Sequence, residues 1–109
     1  MFMNTDTNRL LLEYEQQLKI INREIINPEI NAISFSDLRP IASMVAKSRA
    51  NYLKRLYEIA QAHNDSKTLP SDSEVKELAK LRTIFTELVE GSKSIEIAIQ
   101  RGYLDIKSN

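Results

Sequence analysis

Leu78, Leu81, Phe85, Leu88, Ser92, Ile95 and Ile99 alternate three and four residues apart through seven positions. A half-buried strand repeats every two residues, so a stripe of this period and length is the mark of a helix with one buried face. Two more stretches carry the same kind of pattern. Leu11, Tyr14, Leu18, Ile21 and Ile25 form one stripe, and Ile41, Val45, Tyr52 and Leu56 lie on another. Two glycines and three prolines punctuate these stretches, the prolines at 28, 40 and 70.

The punctuation sets the expected boundaries. The first helix is predicted over 6–27, and Asn27-Pro28-Glu29 reads as its stop and as the cap and first turn of a short helix near 28–33. Asp37 reads as the N-cap of a second helix over 37–62, with Pro40 in its first turn. The polar stretch from His63 to Pro70 is a turn. Ser71 with Glu74 three residues later makes a capping box, and it opens a third helix over 72–104 in which Gly91 offers a place to bend. Gly102 reads as a C-cap ahead of Tyr103. At 1.5 Å per residue the third helix is about 48 Å long, against about 33 and 39 Å for the others. The expected fold is all-α: a single domain over 1–109, an antiparallel bundle of three long helices with one short one.

Composition narrows the function. The chain has 109 residues, no cysteine and one histidine, which leaves no disulfide, thiolate metal site, cysteine nucleophile or multi-histidine metal centre. No metal and no cofactor is expected. No apolar run nears the roughly 20 residues that span a bilayer, and Met1-Phe2-Met3-Asn4 lacks the pattern of a secretory signal, so the expectation is a cytoplasmic protein without a membrane segment. Fifteen basic and fifteen acidic residues balance, which gives no general attraction to phosphate.

Charged residues within the stripes are the candidates for chemistry. On the helical wheel Arg49 falls among Ile41, Ala42, Val45, Tyr52, Leu53 and Leu56, and counting outward from the turns sets it near Glu15 and Phe85. Arg49 with Glu15 is therefore the candidate buried ion pair, or, without that partner, an anion site. Glu96 sits in the third stripe with Arg39 as its expected partner. His63 reads as a cap at the end of the second helix. Ser48 and Ser92 have no histidine placed to activate them and read as sites of close helix approach. Arg39, Lys47, Arg49, Lys54 and Arg55 with Tyr52 and Tyr57 make the second helix a candidate nucleic-acid face, although Lys47 and Lys54 are placed on the polar side and the tyrosines on the apolar one.

The surplus of the pattern is apolar. Ile99, Tyr103, Leu104 and Ile106 run beyond the reach of the first two helices, and Ile30, Ile33 and Phe35 in the first connection also need cover. Either the two sets bury each other or the excess marks an interface, with Phe35, Ile99, Tyr103, Leu104 and Ile106 as its candidate residues; Leu12 and Ile20 add outward apolar surface. The function expected from this balance is a non-enzymatic helical bundle acting through protein–protein contact, of adaptor, immunity or antitoxin, or chaperone kind, and self-associating as a homodimer. Nucleic-acid binding by the basic second helix is the alternative. A small all-helical enzyme holding an anion at Arg49 comes last, because one inward cation is too few for a dianionic substrate.

Overall fold

A computed structural model describes residues 2–65 and 67–108, with side chains from residue 4 onward. The protein is all-α, with three long helices: α1 (Phe2–Ile26), α2 (Phe35–Ala62) and α3 (Asp72–Gln100). A 3-10 turn, Asn27–Glu29, follows α1, and an isolated parallel β-bridge joins Ile33 to Ile106. No described helix is long and apolar enough to cross a membrane. The chain divides into two compact units, Asp37–Ser94 and a unit assembled from both flanks of it, Met1–Ser36 with Ile95–Asn109.

The Asp37–Ser94 unit is a helical hairpin whose seam follows the 3-4 spacing on both arms. On α2 the covered positions are Leu38, Ile41, Val45, Ser48, Tyr52, Arg55 and Ile59, with His63 just after it, and on α3 they include Leu78, Leu81, Phe85, Leu88 and Ser92. Ile59 is the most enclosed side chain, 1% exposed. Ser48 is buried and donates its hydroxyl to the Val45 carbonyl at 2.8 Å, so the small residue keeps its polar atom satisfied within its own helix. Three side-chain ties fix the register. His63 reaches Glu74 beside the loop, Arg55 reaches Glu77 further along, and the Arg49 guanidinium lies 5.1 Å from the centre of the Phe85 ring.

The flanking unit is closed by the way α3 ends. Gly102 takes a left-handed backbone conformation (φ 73°), its N–H donates to the Ile99 carbonyl, and the Tyr103 N–H donates to the Ala98 carbonyl at 2.8 Å. That pair of bonds is a Schellman stop. It turns the chain so that Tyr103 and Leu104 are buried along with Ala98, Ile33 and Ser34, Leu104 being 3% exposed.

Several expected boundaries move. The third helix ends at Gln100 and not at 104, because the turn at Gly102 leaves the helix as soon as its last carbonyls are capped. The short helix near 28–33 is only the turn Asn27–Glu29, since Ile30 is already extended (φ −133°, ψ 123°) and Ile33 is taken by the bridge. Asn27 does not cap this turn: Ile26 holds the cap position, without a side-chain bond. The second helix starts at Phe35, which puts Asp37 in the first turn facing the positive helix end and Pro40 in the second turn. Pro40 therefore costs α2 the bond that the Ser36 carbonyl would otherwise receive. Helix α3 runs unbroken through Gly91, where a Cβ would meet nothing within 4 Å.

Three substitutions test these features by urea unfolding. Ile59→Ala is expected to destabilise the chain by about 2–5 kcal/mol, the range for removing a fully enclosed aliphatic side chain. Gly102→Ala is expected to cost about 1–2 kcal/mol from the left-handed backbone alone, whereas Gly91→Ala should be neutral or slightly stabilising.

Candidate interaction surface

Arg23, in the last turn of α1, secures the segment after α3 at two points. One of its guanidinium nitrogens donates to the Gly102 carbonyl at 2.9 Å and another to Asp105 Oδ1 at 2.6 Å. The Arg23 hydrogen bond is the main reason the Asp105 carboxyl is held below its ordinary pKa, and Asn27 adds a second hydrogen bond to it. Beyond Asp105 the backbone lies parallel to the first connection: the Ile33 N–H donates to the Asp105 carbonyl at 2.8 Å and the Lys107 N–H to the Ile33 carbonyl at 3.0 Å. The aliphatic stem of Lys19 passes close to Gly102, its Cε 3.6 Å from where a Cβ would stand.

Beside this closure is a cleft of about 540 Å³, between the middle of α1 and the end of α3. Leu12, Glu15, Lys19, Arg101 and Tyr103 are among the residues that line it. Its mixed charge gives no clear preference for an anion, and Lys19 lies at the carbonyl end of α3, which favours a cation whether or not a ligand is present.

The apolar stripe of α1 is largely in solvent. Leu11, Tyr14, Ile21 and Ile25 are between 47% and 65% exposed, and Leu18 alone of the stripe is half-buried. The most covered positions on α1 are instead Leu18, Asn22 and Ile26, a face displaced from the stripe. Leu12 and Ile20 point outward, as their positions in the sequence suggest. Among the described residues, no group of three His, Cys, Asp or Glu side chains is placed to hold a metal ion.

The candidate interface residues separate into two classes. Phe35 is 75% exposed, Ile106 is 68% exposed and Ile99 is half-buried. Tyr103 and Leu104, by contrast, belong to the core of the flanking unit, so they are not available as surface anchors. A charge at Tyr103 would open that core before it touched any interface.

The charged candidates also change place. Arg49 is exposed and rests on Phe85, the neighbour that counting outward from the turns supplied, while Glu15 is exposed in the cleft; neither is a buried ion-pair partner. Glu96 is exposed as well, although the stripe placed it among apolar positions. Arg55 is committed to Glu77 at 2.8 Å and lies 3.7 Å from Glu58, and its pKa is raised mainly by the Glu77 hydrogen bond. Tyr52 is covered in the hairpin seam, but Tyr57 is exposed, contrary to its expected place on the apolar side.

The single histidine staples two helix ends. His63 Nε2 donates to Glu74 Oε1 at 2.9 Å, and Nδ1 lies 2.8 Å from Thr68 Oγ1. Glu74 also accepts from the Ser71 N–H while its own N–H donates to Ser71 Oγ, completing the expected capping box. His63 thus ties the end of α2 to the start of α3, a role the sequence reading gave only in part as a cap. Ser66, in the same connection, lies outside the described residues. The Arg23–Asp105 closure carried no sequence signal beyond a basic residue in a last helical turn.

Comparison with protein-family models, with curated proteins and with solved structures gives no match.

The capping box has a defined pH dependence. The Ser71 backbone N–H, and then His63, hold the Glu74 carboxyl below its ordinary pKa, and a folded pKa below the unfolded one gives stability that is present above the unfolded value and lost as pH falls through the folded value. The urea midpoint is expected to fall as the solution is acidified below about pH 4.3, the usual glutamate value. Glu74→Gln should flatten that slope, leaving the part due to Asp105, which Asp105→Asn should remove.

Proposed function

We propose that this chain is a non-enzymatic helical protein that acts in the cytoplasm by binding protein surfaces, in an adaptor, immunity or chaperone role, and that it self-associates as a dimer. The observation that carries the reading is the α1 stripe. Leu11, Tyr14, Ile21 and Ile25 lie along about 21 Å of helix, with Leu10 and Leu12 beside them, and all six are exposed. Scattered exposed apolar residues are ordinary on any surface, whereas an ordered strip of them at the spacing of a helical seam is the form in which helix-to-helix contacts are made.

The engagement of His63 supports the non-enzymatic part. Both ring nitrogens are engaged in the hairpin staple, so the one imidazole in the chain has a structural role that accounts for it. Of the basic residues on α2 that the nucleic-acid alternative would use, Arg55 is bound to a carboxylate of the same hairpin.

Light scattering over a range of concentrations tests the reading, with Leu11→Glu/Ile21→Glu as the companion variant. The expected result is a dimer for the wild-type chain and a monomer for the variant, at unchanged Tm. A monomeric wild-type chain at every concentration overturns self-association. A variant that loses Tm without changing mass shows that the stripe serves the chain's own fold, and this overturns its role as an interface.

A further inference from the structure

We infer that the exposed stripe of α1 seats on the α2–α3 hairpin of a second copy of the chain, on the side marked by Arg49 and Arg82, and runs parallel to α2. The inference rests on the proposed self-association and names the surface that receives the stripe.

The ties along the hairpin distinguish its two sides. Arg49 and Arg55 stand about 120° apart around α2. The contact of Arg49 with Phe85 and the bond of Arg55 to Glu77 therefore lie on opposite sides of the seam. On the Arg49 side α2 presents Leu53, Leu56 and Tyr57, and α3 presents Val75, Arg82 and the half-buried Val89. Leu53, Leu56, Tyr57 and Val75 are between 42% and 66% exposed. Among the described residues neither Arg49 nor Arg82 has a carboxylate partner. Beyond this apolar and cationic face, the outer edge of α2 carries Arg39, Lys47 and Lys54, whereas that of α3 carries Asp72 and Glu90.

Length and charge choose the occupant. From Val75 to Val89 the face covers about 21 Å of α3, the same length as the α1 stripe from Leu11 to Ile25. Asp6, Glu13 and Glu24 border that stripe on one flank and Glu15 on the other. None of these four carboxylates has an ion-pair or hydrogen-bond partner among the described residues, whereas Lys19 and Arg23 of α1 are turned to the end of α3. An apolar helix face edged by uncommitted acids matches an apolar groove edged by uncommitted cations. With the stripe on the groove, Leu18 level with Tyr52 and the chain parallel to α2, the acidic flank lies over the basic edge of α2 and Glu15 within a turn of Arg82. The reversed direction sets the acidic flank over Asp72 and Glu90, a like-charge contact. Reciprocal seating of the two α1 helices closes a two-fold pair.

The chain has no cysteine, so single introduced thiols report contacts between copies. Mixing the Ile21→Cys and Leu53→Cys chains under mild oxidation is expected to give a mixed disulfide, because the two positions lie within a turn of each other in the parallel direction. Ile21→Cys with Ala46→Cys should give none, since those positions meet only in the reversed direction. In sedimentation equilibrium Arg82→Glu is expected to reduce the dimer association constant at least about tenfold, and Glu15→Arg in the same chain to restore it. Absence of the mixed disulfide, absence of the restoration, or Ile21→Cys chains that link to each other as readily as to Leu53→Cys each overturn the proposed seat. If in any of these cases Leu11→Glu/Ile21→Glu still abolishes the dimer, self-association stands and only the seat falls. A wild-type chain that is monomeric throughout overturns both.

Discussion

The left-handed turn at Gly102 is the constraint on which the flanking unit depends. An α-helix leaves its last carbonyls without partners, and here the Gly102 and Tyr103 amides bond to two of them while reversing the chain. That reversal buries Tyr103 and Leu104, brings Asp105 to Arg23, and lays the next residues beside Ile33. A continuous helix through 104 would have carried Tyr103 and Leu104 onward with it. One residue without a Cβ therefore converts an overhanging helix end into the element that completes a core.

The hairpin unit is held differently, by three ties of unlike chemistry between α2 and α3. An imidazole meets a carboxylate at the loop, a guanidinium meets a carboxylate further along, and a guanidinium meets an aromatic ring beyond that. Arg55–Glu77 is a partly exposed ion pair and responds to salt, whereas the histidine staple draws on a capping box whose glutamate responds to acid. Ile59 lies between the first two ties and Ser48 next to the third, the two most enclosed positions on α2. The ties set the register while the enclosed aliphatic surface supplies most of the cohesion.

Local signals made the helices and the hairpin legible in the sequence. The 3-4 stripe from Leu78 onward became the covered face of α3, Ser71 with Glu74 formed its capping box, and Phe85 was the correct neighbour for Arg49. These features depend on residues close together or on counting outward from a short turn. The first stripe was legible as a helix, but its covered face was not, since Asn22 and Ile26 are partly covered while Tyr14 and Ile25 stand in solvent. Which side of a helix is buried depends on the partner and not on periodicity alone. The Arg23–Asp105 closure was illegible because its residues stand 82 positions apart and neither interrupts a pattern. Tyr103 and Leu104 were correctly picked out as needing cover, but their place in the core follows from a turn direction that apolar counting does not contain.

The division of the chain also orders its folding. In the hairpin, His63 meets Thr68 and Glu74 at separations of 5 and 11 residues, and Arg55 meets Glu77 at 22, so each tie closes a loop only modestly longer than the one before. Such a structure can zip outward from its turn without waiting for distant chain. In the flanking unit the Arg23 bonds join residues 79 and 82 apart, a costly closure from an open coil but a short one once the hairpin has doubled the intervening chain back. The hairpin, built on the shorter loops, can therefore form before the flanking unit does. The unit that contains α1 is then the later of the two to close, since its bridge at Ile33 is made only when Asp105 and Lys107 have been brought back beside it.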